Sequence, residues 1–300
     1  MTVVVVGAGI AGLACARELV AAGVPVRVLE RGRVVGGRLA SKRFGGRPAD
    51  IGAAYLTADD PGFLGVLDGW RAAGLARPWT DTFAVASPAG RDTTTGPMRW
   101  AAPAGLRSLA EDLARDLDVT LGHEVRELPA ADAVVLAMPG PQADRITATG
   151  VAQRWEPVLA AVLTFPARCW DDFAGMFVNG HDVLATVCDD GDRRGDRAPV
   201  LVAHSTGDLA REFLDRPAGA AAPIEAAVRE LLGLPAAAAC HVHRWTYAQP
   251  AAGGEQFHRA GDVYLAGDAF GRPRVQTAWL SGRAVARDIL RRRGDQTTVR

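Results

Sequence analysis

The sequence predicts an α/β fold in which a parallel sheet is assembled from discontinuous segments and a mixed α+β region is inserted between them. Three observations carry this. Residues 2–30, TVVVVGAGIAGLACARELVAAGVPVRVLE, run from a β-branched stretch through a glycine turn and a helix-period stretch into a second apolar run. Two later apolar runs, Ala133 to Met138 and Val263 to Ala266, have the unbroken character of parallel strands covered on both faces. No repeat and no linker separates independent domains, so the remaining segments interleave with these strands.

Taken in order, Val3 to Val6 is a strand, a helix follows with Leu13, Ala16, Leu19 and Val20 on one face, and Gly23 closes it. Pro25 introduces the strand Val26 to Leu29. Residues 31–47 are rich in arginine and glycine. Asp60-Pro61 is a cap and first-turn proline for a helix to about Ala73. Short β pieces are expected over 80–100, an amphipathic helix through Leu106, Leu109, Leu113 and Leu117, and short strands at Val119–Leu121 and Val125–Leu128. Further strands are expected near 157–165, 183–188, 200–204 and 240–247, with two alanine-rich helices between the last two. DDGDRRGDR at 189–197 is expected to be a charged turn or a mobile, disordered loop. A last helix runs from about Val275 to Arg293. Residues 1–60, 98–148 and 256–300 are assigned to the parallel-sheet domain, and 61–97 and 149–255 to the insertion.

Composition bounds the function. Of 300 residues, 34 are basic and 34 acidic, a balance that argues against a dedicated nucleic-acid binder. The basic residues are arginines except for Lys42. Cys15, Cys169, Cys188 and Cys240 are too scattered for a disulfide framework or a structural zinc site, so no metal is expected. The N-terminal apolar run lacks a basic leader and is broken by glycines, so the expectation is a cytoplasmic protein without a membrane partner.

Gly7-Ala8-Gly9-Ile10-Ala11-Gly12 follows a strand and opens a helix, the context in which a GxGxxG pattern indicates a Rossmann-like dinucleotide site. Gly7 permits the turn, Gly9 admits a pyrophosphate, and Gly12 lets the helix pack close to the strand. Glu30, with Arg31 after it, ends the second strand, where its carboxylate can accept from both hydroxyls of an adenosine ribose. Gly36-Gly37-Arg38 then offers close backbone approach and a guanidinium fork near phosphates. Val263 to Asp268 (VYLAGD) is a strand ending in Gly267-Asp268, where Asp268 can bond a ribityl hydroxyl and Gly267 avoids a clash.

These spaced elements resemble the glutathione-reductase-like FAD-binding fold of the flavin amine oxidase superfamily. GGRLASKR at 36–43, DIGAAYLT at 50–57, VVLAMPGPQA at 134–143, HRWTYAQP at 243–250 and GDAFGRPRVQTAWLSGRA at 267–284 further resemble renalase and its bacterial relatives. The resemblance implies noncovalent FAD, a dihydronicotinamide-type substrate such as NAD(P)H or an isomer of it, or another small reduced substrate, and O2 as acceptor with H2O2 as product. It also implies that Gly37 and Arg38 sit against the diphosphate, and that Gly52, Ala53 and Tyr55 line the isoalloxazine. Val125 would meet the adenine through its backbone, and the turn from Val275 to Ala278 would face the flavin N1–C2=O edge, where a helix N-terminus stabilises an anion.

Tyr55, Trp245, Arg274 and Trp279 are the pocket candidates. His241 and His243 alternate on one strand with no third ligand at metal spacing, which leaves them as ordinary strand residues. Renalase-like sequences commonly carry an Asn/Ser-rich stretch where this chain has CDDGDRRGDR at 188–197, and an acidic residue and a glycine where it has Gln276 and Thr277. Two rivals remain: an amine oxidase or desaturase, many of which hold a lysine near flavin N5, and a flavin-free binding protein of GDI-like type. The insertion contains no lysine, which counts against the first.

Overall fold

The computed structural model describes residues 1–298, with side chains to residue 295. Elements are numbered along the chain. One sheet has the order β14 (His258–Ala260), β15 (Val263–Leu265), β8 (Ala133–Leu136), β1 (Val3–Val6), β2 (Val26–Glu30) and β7 (Asp118–Leu121). All of its pairings are parallel except β14 with β15. The four valines of β1 are buried on both faces, which is why no polar residue alternates with them. On one side lie α1 (Ile10–Ala21) and α8 (Val275–Thr298), in contact where a Cβ on Gly282 would overlap the Ala11 carbonyl.

The second sheet has the order β13 (Ala239–Pro250), β9 (Trp155–Thr164), β12 (Val200–Ser205), β11 (Leu184–Asp189), β10 (Gly175–Val178), β5 (Arg77–Ser87) and β6 (Gly90–Ala101). Its outer face packs on α6 (Gly207–Glu212) and α7 (Ala221–Leu232) through Leu159, Leu163, Leu201, Leu209, Ile224 and Val228. Its inner face meets the small hairpin of β3 (Ser41–Phe44) and β4 (Arg47–Asp50), burying Ala49 and Ile51 against Ala160, Val162 and Val202. α2 (Pro61–Ala72), capped by Asp60 accepting from the Phe63 amide, sends Phe63, Leu67 and Trp70 into the core shared with α1 and α8. Short helices α3 (Arg107–Leu113), α4 (Gly140–Ala143) and α5 (Asp190–Arg194) complete the fold.

Four sequence expectations change. The stretch 189–197 is not a mobile loop: α5 occupies most of it, with Asp190, Arg193 and Arg194 buried. Residues 77–101 form two long antiparallel strands instead of short pieces. α3 stops at Leu113, before Asp116 takes a positive φ of 62°, so Leu117 is not on the helix. Val125 to Leu128 forms no strand, and Val125 packs at the edge of a small cluster around Leu29 and Leu136. Among the described residues, no helix is long and apolar enough to cross a membrane.

Candidate active site

The site begins at the end of β1. Gly7 has φ +107°, and a Cβ there would stand 2.6 Å from the Ala137 carbonyl oxygen, so only glycine fits. A Cβ on Gly12 would overlap the Gly7 carbonyl, which holds α1 close to the turn. At Gly9 the added atom would meet nothing within 4 Å. Gly9 caps α1 without a side-chain hydrogen bond, so the amides of the first turn are left for an external acceptor. Glu30 braces the turn, its carboxylate accepting from the Ala8 amide at 2.8 Å and the Gly32 amide at 2.6 Å. Each oxygen keeps a lone pair for a further donor. An open helix terminus beside an acceptor carboxylate suits a diphosphate joined to a ribose diol, so these residues fit FAD.

The arginine loop closes over this turn. The Gly36 amide donates to the Ala8 carbonyl at 2.8 Å, and Gly37 faces the Gly9 Cα. Arg38 forms a two-point ion pair with Asp268, its Nη1 2.7 Å from Oδ2 and its Nη2 on Oδ1. Nη1 also donates to the Ala248 carbonyl at 3.0 Å, and the guanidinium lies 4.9 Å from the Trp155 ring centroid. The Arg38 carbonyl accepts from the Ala53 amide at 2.8 Å, with Gly52 so close that a Cβ would overlap it. Gly37, Arg38, Gly52, Ala53, Gly267 and Asp268, drawn from three distant segments, therefore stand together.

The inner face of the second sheet supplies the other wall. Phe177, Thr186, His204, Ala160 and His243 stand opposite one another across five strands, so their side chains share that face. Trp245, two residues beyond His243, donates from Nε1 to the Ile51 carbonyl at 2.7 Å. Tyr55 packs edge-on against Phe83 at 5.4 Å, with Trp79 beside both. Tyr55 thus ends the 50–55 segment, and Trp245 bonds near its start. Burial, reinforced by the Arg193 charge, lowers His204 to about 4, and its Nε2 has no partner among the described residues.

Beneath the 50–55 segment lies a buried ion network. Arg193 donates to the Ala54 carbonyl at 2.8 Å and the Asp50 carbonyl at 3.3 Å, and pairs with Asp190. Arg194 bonds Asp50 at 3.0 Å and Asp190 at 3.2 Å, and Arg47 bonds Asp190 from the far side. Ser41 and the Leu106 amide also donate to Asp50. Burial pushes the Asp190 carboxyl up, but Arg193, Arg194 and Arg47 outweigh it and hold it below the usual range. Burial wins at Asp50, which sits above its ordinary value despite Arg193 and Arg194.

Two pocket candidates fall elsewhere. Trp279 is buried in the core between α2 and α8, 5.4 Å from Phe63 and capped by the Arg283 guanidinium at 4.4 Å. It does not join Tyr55 and Trp245. Arg274 is neutralised by Asp59 through bonds of 2.7 and 3.1 Å. Val275 is the first residue of α8, and both Val275 and Ala278 pack on the α1–α8 core. Gln276 explains its own departure from the resembling pattern. Its Oε1 accepts from the Asp59 and Asp60 amides at 2.7 and 3.1 Å while its Nε2 donates to the Asp59 carboxylate, which an ionised glutamate could not do.

Arg193 and Arg194 were missed by sequence reading although signals were present. Asp189 is an N-cap, Gly195 a left-handed C-terminal residue, and Asp190 stands three and four residues before the arginines. His204 and Arg99 carry no local signal, since strand pairing alone sets what surrounds them.

Residues 5–69 match the NAD(P)-binding Rossmann-like domain and residues 64–290 the flavin containing amine oxidoreductase family. Among curated proteins, the chain is 50% identical over 66 residues to putrescine oxidase of Kocuria rosea, covering 22% of this chain and 14% of that one. It is also 50% identical over 70 residues to lysine-specific histone demethylase 1 homolog 3 of Oryza sativa, 22% of this chain and 9% of the relative. These matches thus span a small part of the relatives' length. Wild-type putrescine oxidase bound to putrescine shares the fold at a TM-score of 0.76 and 18% identity, over 97% of this chain and 99% of that one. A putative protoporphyrinogen oxidase from Exiguobacterium sp. 255-15 does so at 0.75 and 15%, over 96% and 98%. With residues 64–290 of 300 matched and the glycine turn, Glu30 and Asp268 fitting the dinucleotide, the chain belongs to the flavin-containing amine oxidoreductase family, whose cofactor is FAD.

Proposed function

We propose that the protein is an FAD-dependent oxidase of renalase-like type, acting on a dihydronicotinamide-type or other small reduced substrate. Bound at this site, FAD would supply the chemistry as acceptor of a hydride from the substrate, with O2 as the final electron acceptor and H2O2 as product. The amides of the α1 N-terminus hold the diphosphate and Glu30 the adenosine ribose. Asp268, oriented by Arg38, accepts from a ribityl hydroxyl. Gly52 and Ala53 bring the backbone against the ring system, while Tyr55 and Trp245 flank the substrate and exclude water. No side chain needs to act as a nucleophile.

The observation that carries this reading is that no strand of the second sheet carries a lysine. Lys42 lies on the β3–β4 hairpin with Nζ 3.2 Å from His243 Nδ1, and the second sheet has no lysine to offer a flavin. The rival reading, an amine oxidase, is favoured by the local identity to putrescine oxidase. Anaerobic mixing with putrescine, dihydronicotinamide isomers and NAD(P)H separates them, because only the true donor bleaches the flavin rapidly. Bleaching by putrescine and not by any dihydronicotinamide would overturn the proposal. Oxygen uptake with matching peroxide release tests the acceptor.

A further inference from the structure

Arg99 on β6 is 6% exposed and forms no ion pair among the described residues. Buried arginines normally meet a carboxylate, and others here do. Buried Arg193 and Arg194 both pair with Asp190, and the half-buried Arg47 and Arg283 grip Asp196 and Glu18 through Nε and Nη2, at 2.9 and 3.0 Å and at 2.6 and 3.2 Å. In Arg99 that edge is unused: Nε is buried without an acceptor, and only Nη1 is bonded, to the Asp81 carbonyl at 2.6 Å.

The surroundings place this guanidinium beside Tyr55 of the candidate active site. The guanidinium lies 4.2 Å from the Phe83 centroid, 5.3 Å from Tyr55 and 5.8 Å from Phe177. The ring faces attract the cation but offer no acceptor for its N–H groups. Register shifts on both sides of Thr80 re-aim β5 and β6 here. The next residue, Trp100, pairs with Leu56 through mutual backbone bonds of 2.8 and 3.1 Å, which fixes β6 to the segment carrying Tyr55. Gly96 lies beside Nη2, where an added Cβ would stand in ordinary van der Waals contact at 3.8 Å.

We propose that Arg99 is the oxyanion-recognising residue of the substrate site and takes a carboxylate or phosphate of the substrate through its Nε–Nη2 edge. This rests on the reading of the chain as a flavin oxidase acting beside Tyr55. A planar fork suits such a two-oxygen acceptor, and an unpaired cation at the site disfavours a free alkylammonium. Substrates bearing an oxyanion are thereby favoured over simple amines.

The test is a titration of the oxidised holoprotein with sodium benzoate, followed through the flavin absorption spectrum. Saturable perturbation by benzoate and none by benzylamine is expected, with at least tenfold weaker benzoate binding in R99M and an intermediate loss in R99K. Competition by inorganic phosphate would identify phosphate as the oxyanion held, and its absence a carboxylate. Perturbation by benzylamine alone, or benzoate binding unchanged in R99M or R99K, overturns the proposal. Should R99M fail to fold, R99K and the benzoate–benzylamine comparison decide. If amines alone bleach the flavin while benzoate still needs Arg99, the dihydronicotinamide reading fails and the oxyanion site stands.

Discussion

Arg193 donates to the carbonyl oxygen of Ala54 at 2.8 Å, joining a fully buried guanidinium of the second sheet's α5 to the residue just before Tyr55. The same guanidinium bonds the Asp50 carbonyl and the Asp190 carboxylate, so one side chain spans both ends of the segment that faces the proposed flavin site. Its removal leaves a buried carboxylate short of a partner and two backbone acceptors exposed to an apolar interior.

Arg193→Met is therefore expected to destabilise the fold by about 3–5 kcal/mol, the usual cost of breaking a buried pair from one side. Arg193→Lys keeps the charge but loses the fork, and its loss should be smaller. Urea unfolding measures both. A stability change under about 1 kcal/mol in R193M would show that the network is dispensable.

Gly9 and Gly12 are expected to behave differently on substitution by alanine. At Gly12 the new Cβ overlaps the Gly7 carbonyl, so the turn must distort and the apoprotein should lose stability. At Gly9 an added Cβ would meet no atom beyond its chain neighbours within 4 Å among the described residues, and the backbone at φ −81° and ψ 178° accepts any residue. The Gly9→Ala apoprotein should change by about 1 kcal/mol or less, while its FAD affinity falls sharply. Thermal melts of the apoproteins together with FAD titrations distinguish the two.

Burial gives acid sensitivity through His204. Its folded pKa is lowered to about 4 from an ordinary value of 6.5, so between these limits the unfolded chain binds a proton that the folded chain refuses. Stability should then be fully present above about pH 6.5 and decline as the pH falls towards 4, by roughly 3 kcal/mol from this group. His204→Gln should flatten that part of the stability–pH curve. An unchanged slope would show that other groups set it.

Gln276→Glu should destabilise the junction of α8 with the segment before α2. The new carboxylate would still accept from the Asp59 and Asp60 amides but would face the Asp59 carboxylate without a proton to donate. A loss of about 1–3 kcal/mol is expected at pH 7. Protonation of the new glutamate restores a donor, so the deficit should shrink on acidification. Asp59→Asn in the same chain should relieve it at neutral pH.

Much of the first sheet was legible because parallel strands covered on both faces require unbroken apolar runs. The runs at Val3–Val6, Ala133–Leu136 and Val263–Leu265 are adjacent strands as a result. The turn after β1 was equally legible, since glycine is needed where φ is positive or backbones touch. The 189–197 stretch was misread because charge density suggests solvation, whereas here opposite charges from β4 and α5 neutralise one another inside the protein. Trp279 was placed in the pocket by resemblance, yet a large apolar ring is equally suited to a helix–helix core, and packing against Phe63 decided it.

The sequence by itself determined the nucleotide-binding βαβ unit, the acidic end of β2 and the Gly-Asp after β15, because short-range spacing governs them. Only the tertiary structure decided that Arg38 meets Asp268 across 230 positions, that Arg193 clamps the segment before Tyr55, and that Arg99 keeps an edge unpaired among the described residues. The first of these follows from the adjacency of β15, β8, β1 and β2 in the first sheet, and the other two depend on strand order and register in the second. Non-local pairing brings together side chains whose charges and hydrogen-bonding needs are invisible until their neighbours are known.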